Sequence, residues 1–155
     1  MEGKDPLAMP ASTSGAESLI LRLKDFYAAF SVENLGRLDD IYTQDLEFRD
    51  PIHHLRGVLA VRHYLHNMAT NLKEYRIRYT DEQVGSNAAY LSWEMDFAHP
   101  ALEGGKLLSL RGISHVKYTD KIYYHEDSYD VGALLYEHVP VVGFATRLIK
   151  NRMKR

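Results

Sequence analysis

The spacing of apolar residues changes halfway along this chain of 155 residues, and that change limits the folds open to it. In the first half they recur at the helical period. Leu19, Leu23, Phe26, Tyr27 and Phe30 make one stripe; Leu35, Leu38 and Ile41 or Tyr42 make a shorter one; Val61, Tyr64, Leu65 and Met68 make a third. In the second half the period is two. Tyr75, Ile77 and Tyr79 alternate with Arg76 and Arg78, residues 89–98 carry Trp93, Met95 and Phe97, and 106–118 and 122–129 read as two further strands. Helices grouped ahead of a meander predict an α+β chain in which three N-terminal helices pack on a strongly curved antiparallel sheet, a cystatin-like cone whose mouth forms a pocket.

Local signals set the boundaries. Ser14-Gly15-Ala16-Glu17 has capping-box spacing, so the first helix is expected from Ser14. Leu46 to Asp50 alternates as a strand that Pro51 ends, and Gly57 opens the third helix. Turns are expected at Gly85-Ser86-Asn87, at His99-Pro100 with Gly104-Gly105, and at Thr119-Asp120, while Gly112 marks a bend inside its strand. Residues 1–13 read as a disordered leader or a non-native remnant, leaving 14–155 as one domain with a basic C-terminal helix.

Composition narrows the chemistry. The chain has no cysteine, which removes disulfides, thiolate metal sites and cysteine nucleophiles and leaves carboxylate, imidazole and phenol. The formal net charge of −2 divides into an acidic body and a basic end holding Arg147, Lys150, Arg152, Lys154 and Arg155. Positive charge confined to a tail does not suit a nucleic-acid-binding face. The tail is expected to dock on its own domain, with contact at a membrane surface as the minority reading. No apolar run is long enough to span a bilayer and no signal-peptide pattern opens the chain, so a cytoplasmic protein is expected.

The order of elements, together with LEFRDP (46–51) after an aromatic helix bearing Tyr27, the GISHVKYTDKI run (112–122) and YYHEDSYD (123–130), resembles the nuclear-transport-factor-2-like superfamily. That superfamily includes SnoaL-like polyketide cyclases and ketosteroid isomerases. The resemblance covers roughly residues 16–137. It implies a small hydrophobic ligand and a cofactor-independent lyase, cyclase or isomerase working by acid–base chemistry; a non-catalytic ligand-binding or dimerisation module of the same fold is the alternative. Position by position, Asp50 matches the proton-shuttling base of ketosteroid isomerases and Tyr27 their oxyanion-binding tyrosine. Ser114 stands where those isomerases keep a protonated aspartic acid. A serine donates one hydrogen bond without being a strong acid partner, so steroid isomerisation is not implied.

On its residues alone, Asp50 is either a general base facing the cone or the cap of the turn at Pro51, paired at the surface with Arg49 or Arg56. His125, Asp127 and Tyr129 alternate on one strand face, where the resemblance places the cavity. Asp127 then fixes the His125 tautomer for proton transfer, or the two simply satisfy each other. His53 and His54 are candidates to overhang the mouth, Trp93 and Ser114 to line it, and His63 and His66 to face solvent. Asp50, His125 and Asp127 with a neighbouring histidine contain the ingredients of a facial triad, but no helical metal motif accompanies them, and no metal or cofactor is expected. Basic residues interleaved with apolar ones on the outer sheet face predict a homodimer.

Overall fold

The computed structural model describes residues 13–132 and Asn151. The expected leader up to Ser12 and nearly all of the basic C-terminal segment lie outside the described residues.

Helix α1 spans Thr13–Ala28, beginning one residue before the capping-box position. Leu19, Leu23 and Phe26 of its stripe are fully buried, as is Ile20, which the stripe did not include, whereas Tyr27 and Phe30 pack at the edge of the main core. The expected second helix is divided. A 3-10 turn over Val32–Arg37 runs directly into the four-residue α2, Leu38–Ile41. Tyr42 then has extended backbone angles and opens strand β1, Tyr42–Arg49, instead of closing the helix. After the turn at Pro51 comes β2, His54–Arg56, a strand too short to show any alternation in the sequence. Gly57 carries φ +87°, which a side chain rarely tolerates, and its N–H donates to the Leu46 carbonyl at 2.7 Å, so the chain reverses tightly into α3, Val58–Asn71.

The remaining strands are β3 (Glu74–Val84), β4 (Ala88–Ala98), β5 (Leu107–Tyr118) and β6 (Ile122–Tyr129). They form the expected antiparallel meander. The six-stranded sheet runs β2-β1-β6-β5-β4-β3, with β1 parallel to β6, so it is mixed and not wholly antiparallel. Strands joined by a hairpin must run antiparallel, but β1 and β6 are separated by α3 and the whole meander and carry no such restriction. The sheet is open, with β2 and β3 at its edges.

The β1–β6 ladder is irregular where it matters. Tyr42 pairs with Ile122 and Glu47 with Tyr124, five residue steps on one strand against two on the other. The extra residues bend β1. They allow both Tyr42 and Phe48 to reach His125, with ring centroids 5.9 and 5.2 Å from the imidazole.

Burial falls into two clusters. The larger joins the helices to β1, β4, β5 and β6; the smaller gathers around Trp93, Phe97 and Leu110. Trp93 lies opposite Gly112 on the neighbouring strand, and a Cβ at Gly112 would fall 2.2 Å from the indole ring. The bend glycine is thus the seat of the tryptophan, and its missing side chain lets the indole lie flat across β5. Gly112→Ala is expected to push the ring aside, at a cost of about 1–3 kcal/mol. Chemical denaturation and the emission of Trp93, the only tryptophan in the chain, both report on this. An unchanged unfolding midpoint with unchanged emission would show that the contact does not matter.

Candidate functional site

Between the two clusters lies a cavity of about 230 Å³. Tyr27, Phe30, Phe48 and Tyr64 from the main core meet Trp93, Phe97 and Tyr129 from the smaller one across it. Among the described lining residues, Asp50 and Asp127 are carboxylates, His99 and His125 are imidazoles, and no lysine or arginine is present. A dry apolar cavity of roughly 150 Å³ accommodates benzene; this one has room for a ligand of one or two fused rings. Two acids with no lysine or arginine beside them disfavour an anion.

Asp127 and His125 stand two apart on β6, so both side chains project inward. His125 is 2% exposed, and both of its ring nitrogens are engaged. Nε2 lies 2.8 Å from Asp127 Oδ1, and Nδ1 lies 2.8 Å from the Tyr42 hydroxyl. Ser114 on β5 donates to the same Asp127 Oδ1 at 2.5 Å and accepts from Trp93 Nε1 at 2.9 Å. An ionised carboxylate only accepts, so in the neutral ring the proton sits on Nε2, Nδ1 is the acceptor and Tyr42 is the donor. The Tyr42 oxygen can then accept from Tyr27, 3.2 Å away. The row Tyr27, Tyr42, His125, Asp127, Ser114, Trp93 is therefore satisfied throughout. One atom is left over. Asp127 Oδ2 has no hydrogen-bond partner among the described residues, in a side chain 21% exposed on the cavity wall.

Asp50 is in the opposite situation. Its side chain is 2% exposed. Oδ1 accepts the backbone N–H groups of Ile52 and His53 at 2.8 and 2.6 Å, and Oδ2 accepts the Tyr64 hydroxyl at 3.0 Å. His53 Nδ1 lies 3.1 Å from both oxygens. Asp50 lines the cavity and at the same time caps the turn at Pro51, so the two readings of this residue coexist. The surface pairs suggested for it do not form, since Arg49 is bonded to Glu47.

The remaining candidates separate. Trp93, Ser114 and Tyr129 line the cavity. His53 does not: its ring packs on Tyr64 at 4.5 Å and holds Asp50. His54 points away, on the short β2, with Nε2 2.9 Å from Glu47. His53 lies in the turn before β2 and His54 is the first residue of that strand, and neither is among the residues lining the cavity. His63 and His66 are exposed. Among the described residues no three histidine or acidic side chains converge as a metal site. No helix among them is long and apolar enough to cross a membrane.

Tyr42 and Tyr64 were not evident as site residues. Tyr42 falls at the ambiguous end of a helical stripe, and its partner is 83 residues away. Tyr64 sits in the α3 stripe as one more apolar position; the signal available was its hydroxyl, which requires a partner when buried.

Burial raises the titration of Tyr27, Tyr42, Tyr64, Tyr75, Tyr79 and Tyr129 above the ordinary phenol value of 10.0. Because the folded state holds these protons more tightly, their contribution is intact below the unfolded value and is lost as pH rises above it. The unfolding midpoint is expected to drop between about pH 9 and about pH 11, with these phenols ionising in step with unfolding when followed by ultraviolet absorbance. Full phenolate absorbance in a chain that still shows native circular dichroism would contradict the assignment.

Comparison with solved structures finds the same fold in other proteins. A candidate SnoaL-like polyketide cyclase from Jannaschia sp. CCS1 superposes with a TM-score of 0.70 at 11% identity, covering 86% of this chain and 95% of that one. TsrD from Streptomyces laurentii gives 0.65 at 15% identity over 81% and 95%. A protein with a ketosteroid isomerase-like fold from Catenulispora acidiphila DSM 44928, in complex with trimethylamine, gives 0.64 at 10% identity over 76% and 88%. No curated protein sequence matches. The family model of the SnoaL-like domain matches residues 23–125, from within α1 to His125 in β6, and the chain belongs to that SnoaL-like family.

Proposed function

We propose that the cavity binds a neutral, flat, hydrophobic carbonyl compound and moves a proton on it without a cofactor, as an isomerase, cyclase or lyase does. The observation that carries this reading is Asp127 Oδ2, which accepts no hydrogen bond from the described residues, in a side chain on the wall of a cavity lined mostly by apolar and aromatic residues. A carboxylate oxygen in that position keeps its lone pairs free for a ligand. Here Asp127 takes a proton from the carbon beside the carbonyl. His125 and Ser114 hold the other oxygen and fix the carboxylate's direction, while the Tyr27 hydroxyl faces the substrate oxygen as it gains charge. Burial keeps Tyr27 protonated, as a donor must be. Asp50 holds the turn in this reading, because its oxygens are already occupied by donors from Ile52, His53 and Tyr64. The family resemblance favours Asp50 as base, and the hydrogen bonding favours Asp127.

Exchange of α-protons for deuterium in β-tetralone, followed by NMR, tests the assignment. Asp127→Asn is expected to slow enzymatic exchange by roughly 10²-fold or more. Asp50→Asn is expected to retain most of the rate while losing about 1–3 kcal/mol of stability. The reverse pattern would return the base to Asp50, and exchange unaffected by either variant would remove proton transfer. Trp93 emission should respond to β-tetralone and not to naphthalene carboxylate, whose charge the two acids oppose.

We further propose that a second copy of the chain covers the outer face of the sheet. Tyr90 and Ile113 are exposed there, and Tyr90 stacks on His115 with centroids 4.4 Å apart. Light scattering should give the mass of two 17.8 kDa chains, falling to one in Ile113→Lys. A monomer at micromolar concentration would end the idea.

A further inference from the structure

Tyr27 and Asp127 both line the cavity, and they are also joined through His125, which lines it too, and Tyr42, which does not. The route runs from the Tyr27 hydroxyl to that of Tyr42 at 3.2 Å, from Tyr42 to His125 Nδ1 at 2.8 Å, and from His125 Nε2 to Asp127 at 2.8 Å. Its middle members are sealed from solvent, Tyr42 at 1% exposure and His125 at 2%. Tyr42 is absent from the cavity lining, so ligand contact does not account for its hydroxyl.

We propose that Tyr42 is a positioning residue that couples the charge on His125 to the direction of the Tyr27 hydroxyl, making the row a proton circuit between base and oxyanion donor. The inference rests on the proton-transfer reading of the site. Each hydroxyl has a single proton, so the row turns as a unit. With His125 neutral, Tyr27 donates to Tyr42 and Tyr42 to Nδ1, and the Tyr27 proton is directed away from the cavity. With His125 cationic, Nδ1–H donates to Tyr42 and Tyr42 to Tyr27, which leaves the Tyr27 proton only the cavity to donate into. No heavy atom needs to move. The titratable groups around the imidazole are Asp127 on its own strand, Tyr42 on β1 and Tyr27 on α1, with His115 interacting electrostatically from β5 and Tyr79 on β3 beyond Tyr42.

The step balances. It starts from the imidazolium–carboxylate pair and a neutral ketone. The α-carbon–hydrogen bond breaks and its proton goes to Asp127 Oδ2. The freed electron pair forms the carbon–carbon double bond, and the carbonyl π pair moves onto oxygen. That oxygen takes the Tyr27 proton, Tyr27 takes the Tyr42 proton, and Tyr42 takes the Nδ1 proton. The products are an enol, a neutral imidazole and a neutral carboxylic acid. The ion pair is discharged as the enol forms, so no unpaired charge is created in the apolar cavity. Reversal at a second carbon gives an isomer.

Two measurements on the full chain test this. The first follows β-tetralone exchange against pH. The wild-type rate is expected to fall as pH rises through the titration of His125, read independently from its ring-nitrogen NMR shifts. In Tyr42→Phe, kcat should drop about 10-fold to 10²-fold with KM little changed and the pH dependence flattened. Tyr42→Phe exchange with the wild-type rate and pH profile would overturn the circuit. The second measurement needs no turnover. 2-Naphthaldehyde, whose carbonyl oxygen only accepts a hydrogen bond and which has no α-hydrogen to lose, is titrated against Trp93 emission. Wild-type affinity should weaken as His125 loses its proton, and the affinity of Tyr42→Phe should not respond. If wild-type affinity is indifferent to the charge on His125, the circuit fails whether or not the variant folds. If 2-naphthaldehyde binding behaves as expected while no ketone exchanges, the circuit stands and the catalytic reading fails.

Discussion

A buried imidazole has two nitrogens to satisfy, and the inner wall of this protein is organised around doing so. His125 has a carboxylate on one side and a phenol on the other, and each partner comes with its own neighbour, Ser114 for Asp127 and Tyr27 for Tyr42. Polar groups withdrawn from water are tolerable only as a complete network, and this network spans four strands and a helix. It therefore fixes how β1, β6, β5 and β4 stand relative to α1. The parallel pairing of β1 with β6 is part of the same constraint, because the irregular register of that ladder is what lets Tyr42 reach the ring from the strand's beginning and Phe48 from near its end.

The two carboxylates show how a local pattern and its surroundings divide the work. Asp50 precedes proline in a turn, and a carboxylate in such a place bonds the backbone two and three residues on. That local preference is met here by Ile52 and His53, and Tyr64 completes it. Asp127 has no turn to serve. It sits in β6 on the cavity wall, where none of the described residues donates to its second oxygen.

Much of this arrangement was legible in the residues. The change of period separated helices from meander, and alternation along β6 put His125, Asp127 and Tyr129 on one face. What was not legible depended on contacts distant in the chain. Three residues of β2 are too few to carry a pattern, and a parallel pair has no connecting turn to announce it. Tyr42 and Tyr64 looked like ordinary members of apolar stripes because a phenol counts as apolar until its hydroxyl finds a partner. His53 and His54 were ambiguous for a related reason: adjacent residues cannot both face one cavity, and only the Asp50 turn and the β2 pairing decide that neither does.

The indole resting on Gly112 bears on how this pocket can change over time. The position of Trp93 on the wall depends on the absence of an atom in the next strand, so the two positions are not free to vary one at a time. A smaller residue at 93 would leave Gly112 an unneeded weak point, and any side chain at 112 would evict the tryptophan. The breadth of the cavity is thus a joint property of two residues nineteen positions apart. Lineages or libraries that explore new ligands would be expected to cross that gap in paired substitutions.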